Sequence, residues 1–383
     1  MCDSVAFGDL PDLLVSNILS FVGGKDLAKA ACVCKQWKSV TWTNPETWRS
    51  AYIIDFGGLP PKSVNDKDWH AAYLLEHRWR NDYDLEPTQI SANQKGVLSL
   101  IFDESHIISG GWDASIKIWS VLCQTLLATL TGHTREVVCL SMADNNKLVS
   151  GSYDSTIRVW DLEGRKCGAC LLCVSDDGEY LSVNCLDASK GKCVSGHDDG
   201  FLKILDVESG HCELTLVAHE GNIMDVHLDV PKNRVVTSSI DLTIKMWSFD
   251  SMNCLVTFGD QRSIYCMSVV ENLIICGSVT GLVVLWDEKE GEDVLILDGE
   301  APWVRCVHFD GKRIVSAASD KYVKMWDVTS ERRIRDFHGH SALILSVKFD
   351  DTKLITGSLD DLICIWDFQK HTQVPGESSA NPL

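Results

Sequence analysis

Between residues 109 and 366 the chain repeats one twelve-residue phrase seven times. It reads SGGWDASIKIWS at 109–120, SGSYDSTIRVWD at 150–161, SGHDDGFLKILD at 195–206 and TSSIDLTIKMWS at 237–248. CGSVTGLVVLWD at 276–287, SAASDKYVKMWD at 316–327 and TGSLDDLICIWD at 356–367 complete the series. The penultimate position falls at Trp119, Trp160, Leu205, Trp247, Trp286, Trp326 and Trp366, so successive intervals are 41, 45, 42, 39, 40 and 40 residues. A fixed period of this length leaves few options. Each unit is one supersecondary element that cannot bury both of its faces, so the units must stack.

The internal grammar of the phrase is that of a β-hairpin. A β-prone run such as Lys147-Leu148-Val149-Ser150 leads into a polar turn, and an alternating run such as Thr156-Ile157-Arg158-Val159-Trp160 follows; period-two alternation with β-branched residues argues for a strand. The turn carries an Asp six positions before the closing aromatic, at Asp113, Asp154, Asp199, Asp241, Asp320 and Asp360, and only the fifth repeat departs, with Thr280. A short carboxylate suits this place because it accepts backbone N–H bonds across a tight turn. Two more strand-like runs lie between phrases, for example Gln124–Leu130 and Val137–Leu140. Four short strands per forty residues is the plan of a β-propeller blade. The run at Leu85–Ser91 has no blade of its own and the last phrase has no following strand, so the N-terminal run is expected to complete the seventh blade and lock the ring.

Residues 8–50 do not share the repeat. Leu14, Ile18, Leu19, Phe21 and Val22 follow helical spacing, Gly23-Gly24 and Asp26 mark a helix end and a new cap, and Ala30, Ala31, Val33, Cys34 and Trp37 continue a second helical pattern. These apolar positions outnumber what forty residues bury alone. Two readings stand side by side: a small helical cap, or a helix-presenting motif that docks another chain. Gly57-Gly58 and Pro60-Pro61 then mark a loop, and Trp69 to Arg80 reads as a helix that either spaces the two parts or covers one of them.

The segment LPDLLVSNILSFVGGKDLAKAACVCKQWKSVTWTNPETW resembles an F-box, through Leu10-Pro11, the Ile18–Val22 run, Asp26-Leu27, Val33–Trp37 and Trp48, and the repeats resemble WD repeats. Together they are similar to the F-box/WD-repeat family. The resemblance implies a small all-α F-box at 8–50, a helical linker at 51–84, an all-β seven-bladed WD-repeat propeller at 85–368 and a disordered tail at 369–383. It implies that Leu10, Pro11, Ile18, Leu19, Val33 and Trp37 dock a Skp-type adaptor and through it a cullin-RING ligase, while the propeller holds a protein target. The chain would then be a non-catalytic substrate-recognition subunit, working in the cytoplasm, the nucleus or both. The alternative is a WD-repeat scaffold acting outside any ligase. The resemblance also implies a clamp in three blades, in which an upstream His bonds the turn Asp and the strand Trp: His133, Asp154 and Trp160; His219, Asp241 and Trp247; His340, Asp360 and Trp366. Because these pairs recur with the period of the fold, they read as structural and not as catalytic.

Composition narrows the function further. A net charge of −19 disfavours nucleic acid as a partner, since phosphate binding needs a basic footprint. No apolar run reaches the roughly 18 residues of a membrane span, and no secretory signal is visible, so no membrane role is expected. The 16 cysteines lie within strand and helix patterns and are expected to be reduced. Cys167, Cys170 and Cys173 form a C-x-x-C-x-x-C run without the second paired elbow of a zinc site; in a strand, 167 and 173 would share a face and Cys170 would point away. No metal, no cofactor and no reacting constellation is expected.

For the target face, the resemblance points to the innermost strands and to the residue before each turn Asp. Trp303-Val304-Arg305-Cys306-Val307 looks like the strand that supplies a phosphate-reading Arg in some members of the family. The positions matching Arg305 are Leu98, Val138, Asn184, Met224, Tyr265 and Leu345, and those before the turn residue are Trp112, Tyr153, Asp198, Ile240, Val279, Ser319 and Leu359. Only Arg305 is basic. The target-binding candidates are therefore Trp112, Tyr153, Tyr265, Trp303 and Arg305, an aromatic set with one cation, whereas Leu98, Val138 and Leu345 plug a channel.

Overall fold

The computed structural model describes residues 12–31, 37, 39–41, 44–56, 68–81, 85–144, 146–174, 178–259, 262–288, 293–298 and 301–369. The chain divides into two units, one of residues 1–85, 351–353 and 367–383, the other of residues 86–350 and 354–366.

The second unit is built of seven antiparallel sheets of four strands each. Blade two is representative: Val137–Ala143, Lys147–Ser152, Thr156–Asp161 and Lys166–Leu172 pair in order. Blade seven takes three strands from Ile344–Phe349, Lys353–Ser358 and Leu362–Asp367, and its fourth is Thr88–Ser91, with Thr88 paired to Ile365 and Ser91 to Leu362. The N-terminal strand thus closes the ring, as the unpaired runs at the two ends of the repeat imply.

The burial of each strand follows its rank in the blade. Second strands such as Lys147–Ser152 are buried beyond their first residue, third strands such as Leu362–Asp367 are buried through their middle, and fourth strands such as Lys166–Leu172 are mostly exposed or half-buried. Middle strands are buried on both sides because blades stack face to face, which explains the small residue in each phrase. A Cβ on Gly151 would meet Val183 of the next blade at 2.5 Å, and one on Gly357 would meet Val97 of blade one at 2.4 Å. The glycine is where the neighbouring blade presses in. A second regularity was not read from the sequence. The residue after the turn position adopts positive φ in all seven blades, and in five it is not glycine: Ala114, Ser155, Leu242, Lys321 and Asp361. Each ends a tight turn whose preceding carboxylate or hydroxyl holds the loop.

The first unit contains four described helices, α1 (Asp12–Leu19), α2 (Gly24–Ala30), α3 (Pro45–Phe56) and α4 (Trp69–Asn81). α3 runs through the expected boundary at residue 50. One core joins all four: Val15, Leu19, Leu27, Trp48, Ala51, Tyr52, Phe56, Trp69, Ala72 and Tyr73. Part of the apolar surplus in the first fifty residues is therefore met within the chain, by the aromatic face of α4, while Leu14, Ile18 and Phe21 stay exposed. Its polar atoms are also paired: the Tyr73 hydroxyl donates to Asp55 at 2.7 Å, and Arg80 holds the buried Glu76 at 2.7 Å. At the far end of α4, the Trp79 ring stacks on Phe368 at 3.7 Å and its indole N–H donates to the Asp351 carbonyl at 2.7 Å.

Candidate protein-binding faces

Three blades contain the expected clamp residues, joined by a further group. His133 Nδ1 lies 3.0 Å from Asp154, and its Nε2 lies 2.7 Å from the Ser150 hydroxyl, which also receives the Trp160 indole N–H at 2.8 Å. The carboxylate can only accept, so Nδ1 carries the proton. Nε2 then accepts from Ser150, whose oxygen accepts from the indole. The chain runs Trp, Ser, His, Asp, with no direct bond from His to Trp. Blade four repeats it with His219, Asp241, Thr237 and Trp247, at 2.8, 2.7 and 3.0 Å. In blade seven His340 joins Asp360 at 3.0 Å and Thr356 at 2.7 Å, beside the buried Trp366. Burial alone would raise the Asp154 carboxyl, but hydrogen bonds from His133, Thr156 and the Thr134 N–H outweigh it and hold it well below the usual carboxylate range. Desolvation lowers His219 and His340 against the pull of their aspartates. Such pairs are locked inside a blade and serve the turn.

The other blades vary the theme. In blade one the fully buried Gln94, at nearly the histidine spacing ahead of Trp119, accepts from Ser109 at 2.6 Å, and Trp119 donates to the same hydroxyl at 3.0 Å. In blade five Cys276 stands where the other phrases have Ser or Thr, and the Trp286 indole N–H is buried without a hydrogen-bond partner. The repeated Lys two positions before the closing residue was also unread: Lys117, Lys203 and Lys245 donate to the carbonyls of Ala92, Val174 and Ala218, tying the loop that leads into each blade. A bulge between Val159 and Trp160 shifts the register opposite Cys167, so Cys167 and Cys170 are both exposed and Cys173 is buried, not the strict alternation expected.

The innermost strands enclose a channel of about 910 Å³. Leu98, Val138, Asn184, Met224, Tyr265, Arg305 and Leu345 all line it, so the repeat-based register places one residue per blade in a single ring. Arg305 is the cation of that ring. Its guanidinium carbon lies 4.6 Å from the Tyr265 ring centroid and 5.1 Å from that of Trp303. Trp303 follows Pro302, is 48% exposed and adopts φ +64°, a left-handed conformation that a bulky side chain rarely takes. Its N–H donates to Val279 across to blade five. Tyr153 is 37% and Trp112 50% exposed. Burial raises the Tyr153 phenol, with further contributions from Cys139, Glu136 and Tyr265 and an opposing one from Arg305. The sequence comparison of ring positions missed Arg135, whose guanidinium donates to the Tyr153 carbonyl at 3.1 Å and lies 5.9 Å from the Tyr153 ring. It belongs to the loop entering blade two, outside the aligned positions. Deeper in the channel, Asp225 is pushed up to about 6, first by desolvation, with the Met267 N–H and Lys348 opposing.

On the helical unit, Leu10, Pro11 and Val33 lie outside the described residues. Ile18 is 45% exposed, whereas Leu19 is 1% exposed and sits in the shared core, so it supports the surface without presenting itself. Trp37 is half-buried against the same core. Helical geometry sorts the α1 residues: Val15 and Leu19 point inward while Leu14 and Ile18 face outward, and Phe21, in the turn after α1, extends this exposed apolar stripe of the chain at 84% exposure. Leu14 and Phe21 were not among the docking candidates, although their spacing from Ile18 carries the signal.

Residues 7–54 match the F-box-like family, and residues 86–120, 124–161, 210–248, 291–327 and 331–367 match the WD domain, G-beta repeat. Together the matched segments cover more than half of the chain. The two long unmatched stretches between repeats, 162–209 and 249–290, hold the first three strands of blades three and five, which carry Leu205 for Trp and Thr280 for Asp, yet both blades form four-stranded sheets. The chain is 30% identical over 147 residues to the F-box/WD repeat-containing protein 7 of Drosophila melanogaster, covering 33% of this chain and 11% of that protein. It is 32% identical over 157 residues to F-box and WD repeat domain-containing 11-A of Danio rerio, covering 32% and 27%. It is 27% identical over 223 residues to autophagy-related protein 16 of Arabidopsis thaliana, covering 56% and 43%. The chain thus spans less than half of the length of each of these relatives. Among solved structures, the computationally designed Ika8 protein superposes with a TM-score of 0.60 at 24% identity, over 74% of this chain and 99% of that one, a likeness of fold. With its F-box-like helices followed by a ring of seven WD-repeat blades, the chain belongs to the F-box/WD-repeat proteins.

Proposed function

We propose that the chain is the substrate-recognition subunit of a Skp–cullin–F-box ubiquitin ligase. The helical unit docks the Skp-type adaptor and the propeller holds the protein target. The observation that carries this reading is the exposed stripe of Leu14, Ile18 and Phe21. Burying such a stripe against a partner is favourable at about 25 cal/mol per Å² of apolar surface, and the described helices behind it share a core of their own. Catalysis is by proximity: the receptor raises the effective concentration of target lysines near a charged conjugating enzyme. The ligase would act in the cytoplasm or the nucleus. The similarity to autophagy-related protein 16, whose name carries no F-box, favours the second reading, a scaffold outside any ligase.

Adaptor capture separates the two. Purified full-length chain should bind a purified Skp-type adaptor, and Ile18→Ser with Phe21→Ser should weaken capture at least tenfold while the propeller melts at the same temperature. Unchanged affinity in the double variant rules out docking through this stripe.

A further inference from the structure

On the rim of the propeller, one fourth strand leaves its outer edge open. A fourth strand pairs on one side, so its other edge presents backbone N–H and C=O groups to any extended chain. Charged or polar residues usually blunt such an edge. Blade six opens its fourth strand with exposed Arg332 and Arg333, blade two with exposed Lys166, and blade seven exposes Gln89 and Ser91. Blade five differs. Its fourth strand, Asp293–Asp298, has Val294-Leu295-Ile296-Leu297 between two aspartates. Leu295 and Leu297 are buried in the core shared with blade six, whereas Val294 is 51% and Ile296 48% exposed. Among the described residues of the seven fourth strands, no other alternates two β-branched aliphatics on its exposed face.

The strand is also regular enough to accept a neighbour. Ile296 lies opposite Val284 and Asp298 opposite Leu282, and the one register shift, between Leu285 and Trp286, falls at the start of the strand. Residues 295–298 therefore pair without interruption, and the cross-strand row from Val284 to Ile296 ends in solvent. The sheet order ends at this strand too, so its outer edge meets no described strand. Val and Ile are the residues that gain most from a further strand beside them.

Charge selects the occupant. From Glu288 to Glu300 the sequence has six acidic residues against the single Lys289. Glu288 is held by Arg234, while Asp298, at the end of the strand, is exposed. A second copy of the chain brings the same acids and a net charge of −19, so like strands meeting edge to edge repel. A basic segment is attracted instead.

We propose that the free edge of blade five's fourth strand takes up an extended segment of a basic partner protein as a fifth strand. Backbone hydrogen bonds supply the pairing, aliphatic residues at alternate positions lie beside Val294 and Ile296, and Lys or Arg at the two ends answers the acidic flanks. The inference does not rest on the receptor reading.

The test uses full-length chain and a degenerate library of ten-residue peptides, N-acetylated and C-amidated. Selection should enrich Val, Ile or Leu at alternate central positions, and Lys or Arg over Glu at both ends at least tenfold. Two forms of a selected peptide, each N-methylated on one alternate set of backbone amides, should then separate: one loses at least tenfold in affinity and the other does not. Ile296→Lys should abolish capture at unchanged melting temperature. Should that variant fail to fold, Val294→Thr with Ile296→Thr keeps the β-branches and should lose most of the affinity. Equal affinity of the two methylated forms, acidic ends among the selected peptides, capture that survives in either variant, or no enrichment at all overturns the proposal. So does a dimer in sedimentation that Ile296→Lys dissolves, which would give the edge to a second copy. Adaptor capture should be the same in Ile296→Lys and wild type, so failure of the ligase reading and failure of the strand reading remain distinguishable.

Discussion

Single residues in this propeller do their work through chains of partners. Asp154 holds the turn of blade two by accepting from His133, Thr156 and the Thr134 N–H, and its removal leaves that N–H without this acceptor and His133 Nδ1 with only the Thr156 hydroxyl, 3.0 Å away. Loss of a buried hydrogen-bond partner costs about 1–3 kcal/mol, so Asp154→Ala should lower the melting temperature measurably. Thr280→Ala in blade five should matter less, because the Thr280 hydroxyl pairs with Ser278, whose own bonds to Leu282 do not need it; equal and negligible shifts would show that the clamp contributes nothing. The same carboxyls set the acid limit. Asp154, Asp241 and Asp360 are all held below their ordinary values, so their contribution is complete above the unfolded value near 4 and is lost as pH falls below it. His219 and His340 are lowered as well, so they stay neutral in the fold and their protonation at low pH acts in the same direction. Acid unfolding followed by circular dichroism should therefore show a steeper loss below pH 4 in the wild type than in Asp154→Asn.

At the scale of elements, one helix carries two opposite roles on two faces. Leu19→Ala opens the core of the helical unit and should cost about 2–5 kcal/mol, read as loss of helical ellipticity, whereas Ile18→Ser should leave that ellipticity intact. Equal effects of the two would mean that the faces are not separated as described. The sequence made the strands legible because a blade repeats: each Trp-anchored phrase fixes the register of its neighbours, so Arg305 and its six counterparts could be placed on one ring by counting. It was less informative where a residue acts through a partner of different spacing. Ser150 opens its phrase ten residues before Trp160, as a Ser or Thr does in all but the fifth repeat, but the spacing does not say that it bridges His133 to Trp160. Gln94 fills a histidine's place by chemistry and not by identity. Leu14, Leu19 and Phe21 are all apolar at helical spacing, and only the position of α3 and α4 decides which of them turns inward. Trp303 was picked for its ring, but its left-handed backbone and the bond of its N–H to Val279 leave no mark in the repeat pattern.

The propeller as a whole stands on its closure. Ile90, 6% exposed, inserts from the N-terminal strand into the core shared by blades seven and one, with Val97, Trp119 and Ile363. Ile90→Asp places an unpaired charge there and should destabilise the whole ring in one cooperative transition by several kcal/mol; a local change confined to blade seven would show that the ring is not a single unit. Because Thr88 finds its partner at Ile365, the seam joins a strand made before the first blade to one made with the last. Until the last blade leaves the ribosome, the first strand has nothing to pair with, and both open edges of the growing ring remain available to other chains. A nascent chain cut short anywhere before residue 362 therefore cannot finish its fold, and completeness of the polypeptide becomes a condition for hiding its edges.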